Sequence, residues 1–318
     1  MTGGEVLLAA TLDAALGDPR WLPHPVRVMG RLIAWCDEQV RLICRSTGSL
    51  RLAGVCLAVG LPVAAYAIGA FVIEQATAVS ALLGNVVTIG LAFTTLAGRD
   101  LFDHVRAVSH ELVGGNLIGA REAVSKIVGR DTEALSEPEI VRATIETIAE
   151  STADGVIAPL VYLTIGGVPL AVAYKAISTL DSMIGHRDAR YVDFGWASAR
   201  IDDVANWIPA RLTAGLIVIA TGIATGRWER ARESWRILCR DGDRHPSPNS
   251  GRPEAAMAGA LGVQLGGINV YDGVPHARPQ MGDGTRALIQ EDINLAVRVM
   301  VITCGLGLLL AVASLWLA

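Results

Sequence analysis

Four stretches without a single charged residue, Leu52 to Ile73, Gln75 to Gly98, Gly155 to Tyr174 and Val299 to Ala318, constrain this chain more than anything else in it. Each is at least as long as the roughly 20 residues that cross a bilayer core, and a lipid-exposed segment must satisfy its own backbone, so each reads as a helix. A fifth run, Leu212 to Gly226, is shorter, but Trp207 and Trp228 bracket it as interfacial anchors and Arg211 can snorkel. The expectation is an all-α, polytopic membrane protein with four or five spans (52–73, 75–98, 155–174, 212–226 and 299–318) in a single membrane-embedded domain. Composition agrees: 52% of the 318 residues are hydrophobic and only 18% charged.

All Lys and Arg residues fall in four polar segments, Asp18 to Arg51, Arg99 to Asp154, Lys175 to Arg211 and Arg227 to Arg298. The positive-inside rule assigns such segments to the cytoplasm of a multi-pass cell-membrane protein. Glu74 forms a tight join between the first two spans. A complete crossing by Gly155 to Tyr174 would place the basic third segment outside, so Gly166, Gly167 and Pro169 are read as breaking that helix into a re-entrant element. Val6 to Gly17 lacks a basic start and reads as an interfacial helix rather than a signal peptide. Amphipathic helices are expected over 28–45, 101–112 and 117–128, and Ser136 with Glu139 forms a capping box that opens a further helix. Strand-like alternation is almost absent. The five cysteines include no CxxC pair, and with a net charge of −4 and no basic domain nucleic acid is not an expected partner.

The chemistry-bearing residues cluster. Glu146, Glu150 and Asp154 recur every four residues, which sets three carboxylates about 6 Å apart along a helical stripe that runs into an apolar span. No Lys or Arg lies between Arg142 and Lys175 to neutralise them locally. A cation site, Mg²⁺ above all, is the favoured reading, although pairing with arginines from another segment would leave the same pattern. Asp181 belongs to a second acidic set, Asp202, Asp203 and Asn206 to a third. Arg244 to Ala256 packs a cation, His245, Ser247, Asn249 and Glu254 into a loop with three prolines. There Asn249 and Gly251 permit unusual dihedrals, so side chains and amides can be aimed at an anionic ligand near a helix start. Arg20, His24, Arg27 and Arg31 form a further basic group, which Arg99, Arg106 and Arg130 can extend. Arginines at a membrane rim also contact lipid headgroups, and salt bridging is the plain alternative for Arg200 and Arg211.

With those residues in place, the chain resembles the cobalamin-biosynthesis membrane proteins described as adenosylcobinamide-phosphate synthases. The resemblance covers nearly the whole length. It rests on the opening Gly17-Asp-Pro-Arg-Trp-Leu-Pro-His-Pro-Val26, Gly98-Arg-Asp-Leu101, Gly129-Arg-Asp-Thr132, Glu146 to Gly155 with Ala158-Pro159, Lys175 to Gly185, and Phe194-Gly195. It continues through Ala199 to Asp203, Asn206, Pro209 to Arg211, the His245 to Ala256 loop, Leu265-Gly-Gly267 and Tyr271. Ser178 departs from the pattern, which has Asn there. The resemblance implies ATP-dependent joining of a carboxylate of adenosylcobyric acid to an amino-alcohol phosphate, typically aminopropanol phosphate. On that reading ATP and Mg²⁺ are required and the corrinoid is substrate. Glu146, Glu150, Asp154 and Asp181 would hold Mg²⁺; Arg20, Arg130, Lys175 and Arg244 would contact phosphates, with Ser247 and Asn249 in the same loop; His24 or His245 would take a proton from the attacking ammonium. Lys175 is grouped with the two histidines as a candidate catalytic residue. Membrane lipids, further copies of the chain and other corrinoid-pathway enzymes are the expected partners. The competing reading is a transporter or a corrinoid-binding assembly partner of the same pathway.

Overall fold

The helices begin where the sequence supplies caps. In the computed structural model, which describes residues 1–19, 24–186 and 188–317, Thr2 and Glu5 form a reciprocal box at the start of α1 (Gly3–Leu16), and Ser46 and Ser49 do the same for α3 (Thr47–Val79) after α2 (Pro25–Ile43). Ser80 serves two helices. Its extended backbone donates its N–H to the Ala76 carbonyl and closes α3, while its hydroxyl accepts the Leu83 amide and opens α4 (Ala81–Phe93). The hairpin therefore turns at Ser80 and not at Glu74, which lies within α3 because nothing in its neighbourhood can stop the helix.

The chain continues with α5 (Gly98–Val113), α6 (Leu117–Ser125) and α7 (Glu137–Thr152). Glu139 reaches back to accept the Ser136 amide at 2.7 Å, the contact expected of a capping box. A single π-helical turn, Ala153–Ile157, joins α7 to α8 (Ala158–Ile184). After α9 (Trp196–Ala205), α10 (Trp207–Thr225), α11 (Trp228–Asp241) and α12 (Gly251–Leu261) comes an antiparallel hairpin, β1 (Leu265–Tyr271) and β2 (Val274–Met281), and finally α13 (Glu291–Leu317). Within α8 the backbone leaves helical geometry at Gly166 and at Gly167, whose φ of 66° suits glycine, three and two residues before Pro169. The helix break expected there is present.

Among the described residues, five helical stretches are long and apolar enough to cross a membrane: Thr47–Val79, Ala81–Val113, Glu137–Ile184, Trp207–Thr225 and Glu291–Leu317. This is an all-α, multi-pass membrane protein with one small hairpin. The hairpin corrects the expectation of almost no strand. Asp272-Gly273 at its tip, with φ of 50° and 76°, is the dipeptide that favours a tight two-residue turn.

The chain forms two compact units, each discontinuous in sequence: residues 1–97, 158–206 and 310–318 in one, 98–157 and 207–309 in the other. In the first, α3 packs on α4, α8 and α9 around Ile33, Phe93, Leu163, Leu180 and Phe194. In the second, α10, α11 and α12 pack together, and α7 is buried on nearly every side through Ile140, Ile145 and Ile148. Each such side chain contributes about 1.5–3 kcal/mol when buried.

Close approach in the first unit depends on Gly54, where a Cβ would collide with the Phe194 carbonyl oxygen. Gly54→Ala is expected to destabilise the protein by at least ~1–3 kcal/mol through overpacking. A lowered thermal midpoint in detergent checks it; an unchanged midpoint would show that the helices can part without cost.

Candidate functional site

A carboxylate on a helix buried all round needs partners, and Glu146 has them. One oxygen accepts Arg130 Nη2 at 2.6 Å and the other accepts the Gly266 amide at 2.8 Å. Arg130 also donates to Asn269 Oδ1. One helical turn before Glu146, Arg142 donates to the carbonyl oxygens of Gly266 and, at 2.9 Å, Ile268, and to Asn269 Oδ1 at 3.1 Å. Two guanidiniums thus fasten the root of β1, where the strand carries an irregularity between Leu265 and Gly267. Gly266 has a φ of 83° and a Cβ there would strike the Pro279 carbonyl, so only glycine lets its amide reach Glu146. The far end of the hairpin is held by Asp131, whose carboxylate accepts the Gly273 amide at 2.8 Å and the Asp272 amide at 3.3 Å. Consecutive residues of the Gly129-Arg-Asp-Thr132 motif therefore hold the outer half of the hairpin, Arg130 at Asn269 and Asp131 at its turn, while Arg142 and Glu146 hold its root.

The loop from Gly242 to Ser250 stands on Asp241, which is fully buried. Hydrogen bonds from Arg240 hold its carboxyl below the usual range despite that burial, and it accepts the Gly282 amide at 2.9 Å. Arg244 turns to the same carboxylate at 3.1 Å. Further along, Ser247 Oγ accepts the amides of Asn249 and Ser250, both at 3.3 Å, and Ser250 Oγ donates to Glu150 Oε1 at 2.8 Å. Neither Asn249 nor Gly251 uses a positive φ. Glycine is needed at 251 for space, because a Cβ would collide with that of His245.

His245 is buried, and that burial, reinforced by the charge of Arg278, holds its imidazole below the usual range, so the ring is neutral near pH 7. The Ser247 amide lies 3.0 Å from Nδ1. The ring's Nε2 lies 2.7 Å from Arg278 Nη1. A neutral ring has one accepting nitrogen, so its tautomer decides whether it accepts from the Ser247 amide or from Arg278. Arg278 also donates to the Tyr271 hydroxyl at 2.9 Å. Glu254, in the first turn of α12, is only 5% exposed. Burial, then the charges of Glu146 and Glu150, push its carboxyl well above the usual range.

Of the residues singled out from sequence, Arg130, Glu146, Glu150, Asp154, Arg244, His245, Ser247 and Asn249 belong to this unit. Asp154 sits inside the π-turn, a helical irregularity common at functional sites. His24, Lys175 and Asp181 belong to the other unit; His24 is buried with Nε2 3.3 Å from Asp18, and Lys175 and Asp181 are carried on α8. Arg20 lies outside the described residues. Among the described residues no group of three or more His, Cys, Asp or Glu is arranged to hold a metal. Glu146, Glu150, Asp154 and Asp181 are therefore not gathered as one cage, and both oxygens of Glu146 are spent on Arg130 and Gly266. Arg200 follows the plain reading, pairing with Asp203 at 3.8 Å, whereas Arg211 stacks over Trp207 and donates to its carbonyl oxygen.

Sequence reasoning missed Arg142, Asn269 and Arg278 as site residues, because two of them lie on the unpredicted hairpin. Asp272-Gly273 was the available signal.

Comparison with known proteins accords with the motifs. The family described as CobD/Cbib protein matches residues 6–300. The cobalamin biosynthesis protein CobD of Geobacter metallireducens is 51% identical over 316 residues, covering 98% of this chain and 96% of its own. The CobD protein of Halalkalibacterium halodurans is 44% identical, covering 93% and 91%, and the cobalamin biosynthesis protein CbiB of Salmonella typhimurium is 42% identical, covering 96% and 95%. No solved structure matches.

Two predictions come from the buried charges. Arg130→Met leaves Glu146 uncompensated and should cost ~3–5 kcal/mol, most of it recovered when Glu146→Gln is added; denaturation of the single and double variants in detergent would measure this, and simple additivity would refute the pairing. Because the Glu254 pKa is raised in the folded state, the folded protein binds the extra proton and loses stability as pH rises above the unfolded value of about 4.3. Glu254→Gln should therefore melt higher than wild type at pH 8, by a margin that shrinks towards pH 4.5.

Proposed function

Since the chain belongs to the CobD/CbiB family, we propose that it catalyses ATP-dependent formation of an amide between adenosylcobyric acid and an amino-alcohol phosphate of the aminopropanol phosphate type, giving adenosylcobinamide phosphate for cobalamin synthesis. The observation that carries this reading is the meeting, in one loop-and-hairpin site, of His245 and the Arg278 guanidinium with the acids Glu150 and Glu254. Joining a carboxylate to an amine at the expense of ATP brings several anions to one place, and developing phosphoryl charge calls for fixed cationic donors.

In the proposed order of steps a corrinoid carboxylate oxygen attacks the γ-phosphorus of ATP, ADP leaves, and an acyl phosphate results. The amine nitrogen then attacks the acyl carbon; the carbon–oxygen bond to phosphate breaks as the carbon–nitrogen bond forms. The ammonium gives up two protons, one to a base before attack and one with the departing phosphate. Arg278 would bind phosphoryl oxygens. For His245 to act as the base, its accepting nitrogen must first release the donor it holds, the Ser247 amide at Nδ1 or Arg278 at Nε2.

Mg²⁺ arriving on a nucleotide keeps phosphate and water ligands and needs only one or two protein carboxylates. Glu150 fits that demand: it is exposed, and only one of its oxygens is engaged, by Ser250. Asp154, one turn on, would complete the pair, and the ion would supply neutralisation of phosphate charge. The assignment of Asp181 to the same ion has no local support, and Arg20 and Lys175 take no part in these steps. The broken helix α8 favours the alternative, a transporter or corrinoid-binding partner, because Gly- and Pro-interrupted helices build transport sites.

Detergent-purified protein given adenosylcobyric acid, aminopropanol phosphate, ATP and Mg²⁺ is expected to form the amide by mass spectrometry, with no product when ATP or Mg²⁺ is omitted. Glu150→Gln should abolish product while leaving the thermal midpoint near wild type. Folded wild-type protein that binds corrinoid yet forms no amide would favour the binding or transport reading.

A further inference from the structure

Glu254 is an anomaly in a site where every other buried charge is paired. The residue is only 5% exposed, yet its carboxyl has no hydrogen bond or salt bridge among the described residues. Neither protonation state removes the difficulty. Ionised, it is a buried anion beside the like charges of Glu146 and Glu150; protonated, it is a donor without an acceptor. An isolated group of this kind costs stability. Its environment is nevertheless built to keep it: the loop that precedes α12 is pinned at Asp241, Ser247 and Ser250, and Gly251 is held small by His245.

The missing partner is a hydrogen-bond donor that carries positive charge. A bare divalent ion demands several oxygens at short, near-octahedral distances, and among the described residues no three acidic or imidazole groups are so arranged. A primary ammonium asks less, since it donates to acceptors one by one and is satisfied by a single buried carboxylate with help from its neighbours. Close by, Arg278 donates to the Tyr271 hydroxyl at 2.9 Å, lies 2.7 Å from His245 Nε2, and is near enough to Glu254 for the two charges to interact. An acceptor for a cation and a fixed guanidinium for an anion therefore stand side by side.

We propose that Glu254 binds the ammonium group of the amine substrate while Arg278 binds the phosphate of the same molecule, so that the site recognises a short aminoalkyl phosphate as a zwitterion. This rests on the amide-forming reading and adds to it the subsite and the residue that selects an amine. Charge-assisted pairing with a buried carboxylate makes the ammonium decisive: the same phosphate with the amine deleted leaves Glu254 as unpaired as before.

The test compares two probes, aminopropanol phosphate and its deaminated counterpart propanol phosphate, binding to the detergent-purified full chain by calorimetry without ATP or corrinoid. Wild type is expected to prefer the amine by about tenfold or more. Glu254→Gln, nearly isosteric, should reduce that preference to about twofold or less, mainly by weakening the amine, while propanol phosphate binds as before. Glu254→Asp, which keeps the charge on a shorter arm, should retain part of it. Thermal unfolding of both variants verifies folding. Undiminished preference in folded Glu254→Gln overturns the proposal, as does wild type that binds both probes equally; in those cases the amide-forming function stands. Wild type that binds neither probe overturns the aminoalkyl phosphate as substrate, and this subsite with it. A parallel Mg²⁺ titration that is lost in Glu254→Gln while the amine preference survives also rules against the ammonium assignment.

Discussion

A helix enclosed by protein on nearly every side cannot carry a charge unless another element comes to meet it, and α7 carries both Arg142 and Glu146 on such a helix. Each of these groups would cost several kcal/mol left alone in an apolar interior. Their solution is shared. Arg130 comes from the loop before the helix to pair with Glu146, and the root of the hairpin supplies an amide to Glu146 and carbonyls to Arg142. The position of the hairpin, and with it of Asn269, Tyr271 and Arg278, follows from that requirement. Chemistry at the site is thus a consequence of how buried charge on one helix is satisfied.

Much of the architecture could be read from the residue order because lipid imposes a blunt rule. Uncharged runs of sufficient length become helices, and their number and approximate places emerged directly; so did the break at Gly166 and Gly167 and the capping box at Ser136 and Glu139. Boundaries were less legible. A charged residue such as Glu74 looks like an end of a span, yet a helix stops only where a cap competes for its last groups, and Ser80 is the residue that does so. The hairpin escaped because Leu265 to Met281 is glycine-rich, carries little alternation and is fixed by arginines distant in sequence, with Asp272-Gly273 as its one local sign.

The candidate site was legible to the same degree. Regular spacing marked Glu146 and Glu150, and the proline-rich loop marked His245 and Ser247. What spacing could not convey was allegiance. Glu146, which looks the same as Glu150 on a helical wheel, is closed off by Arg130 and Gly266, whereas Glu150 is exposed and bonded only to Ser250. Arg244, conspicuous in the loop, serves Asp241, and Gly251 is there to make room rather than to bend the chain. Glu254, prominent in the motif but with no evident task, turns out to be a buried carboxyl that bonds to nothing else among the described residues.

The way Arg142 holds the hairpin has an evolutionary corollary. It donates to the main-chain oxygens of Gly266 and Ile268, atoms that every amino acid possesses, so its grip does not depend on which side chains the strands display. Outward residues such as Val274 and His276 are free of the anchoring task. A lineage can exchange them one at a time while the ribbon stays docked, which makes the hairpin a place where selectivity can drift without the scaffold having to be rebuilt.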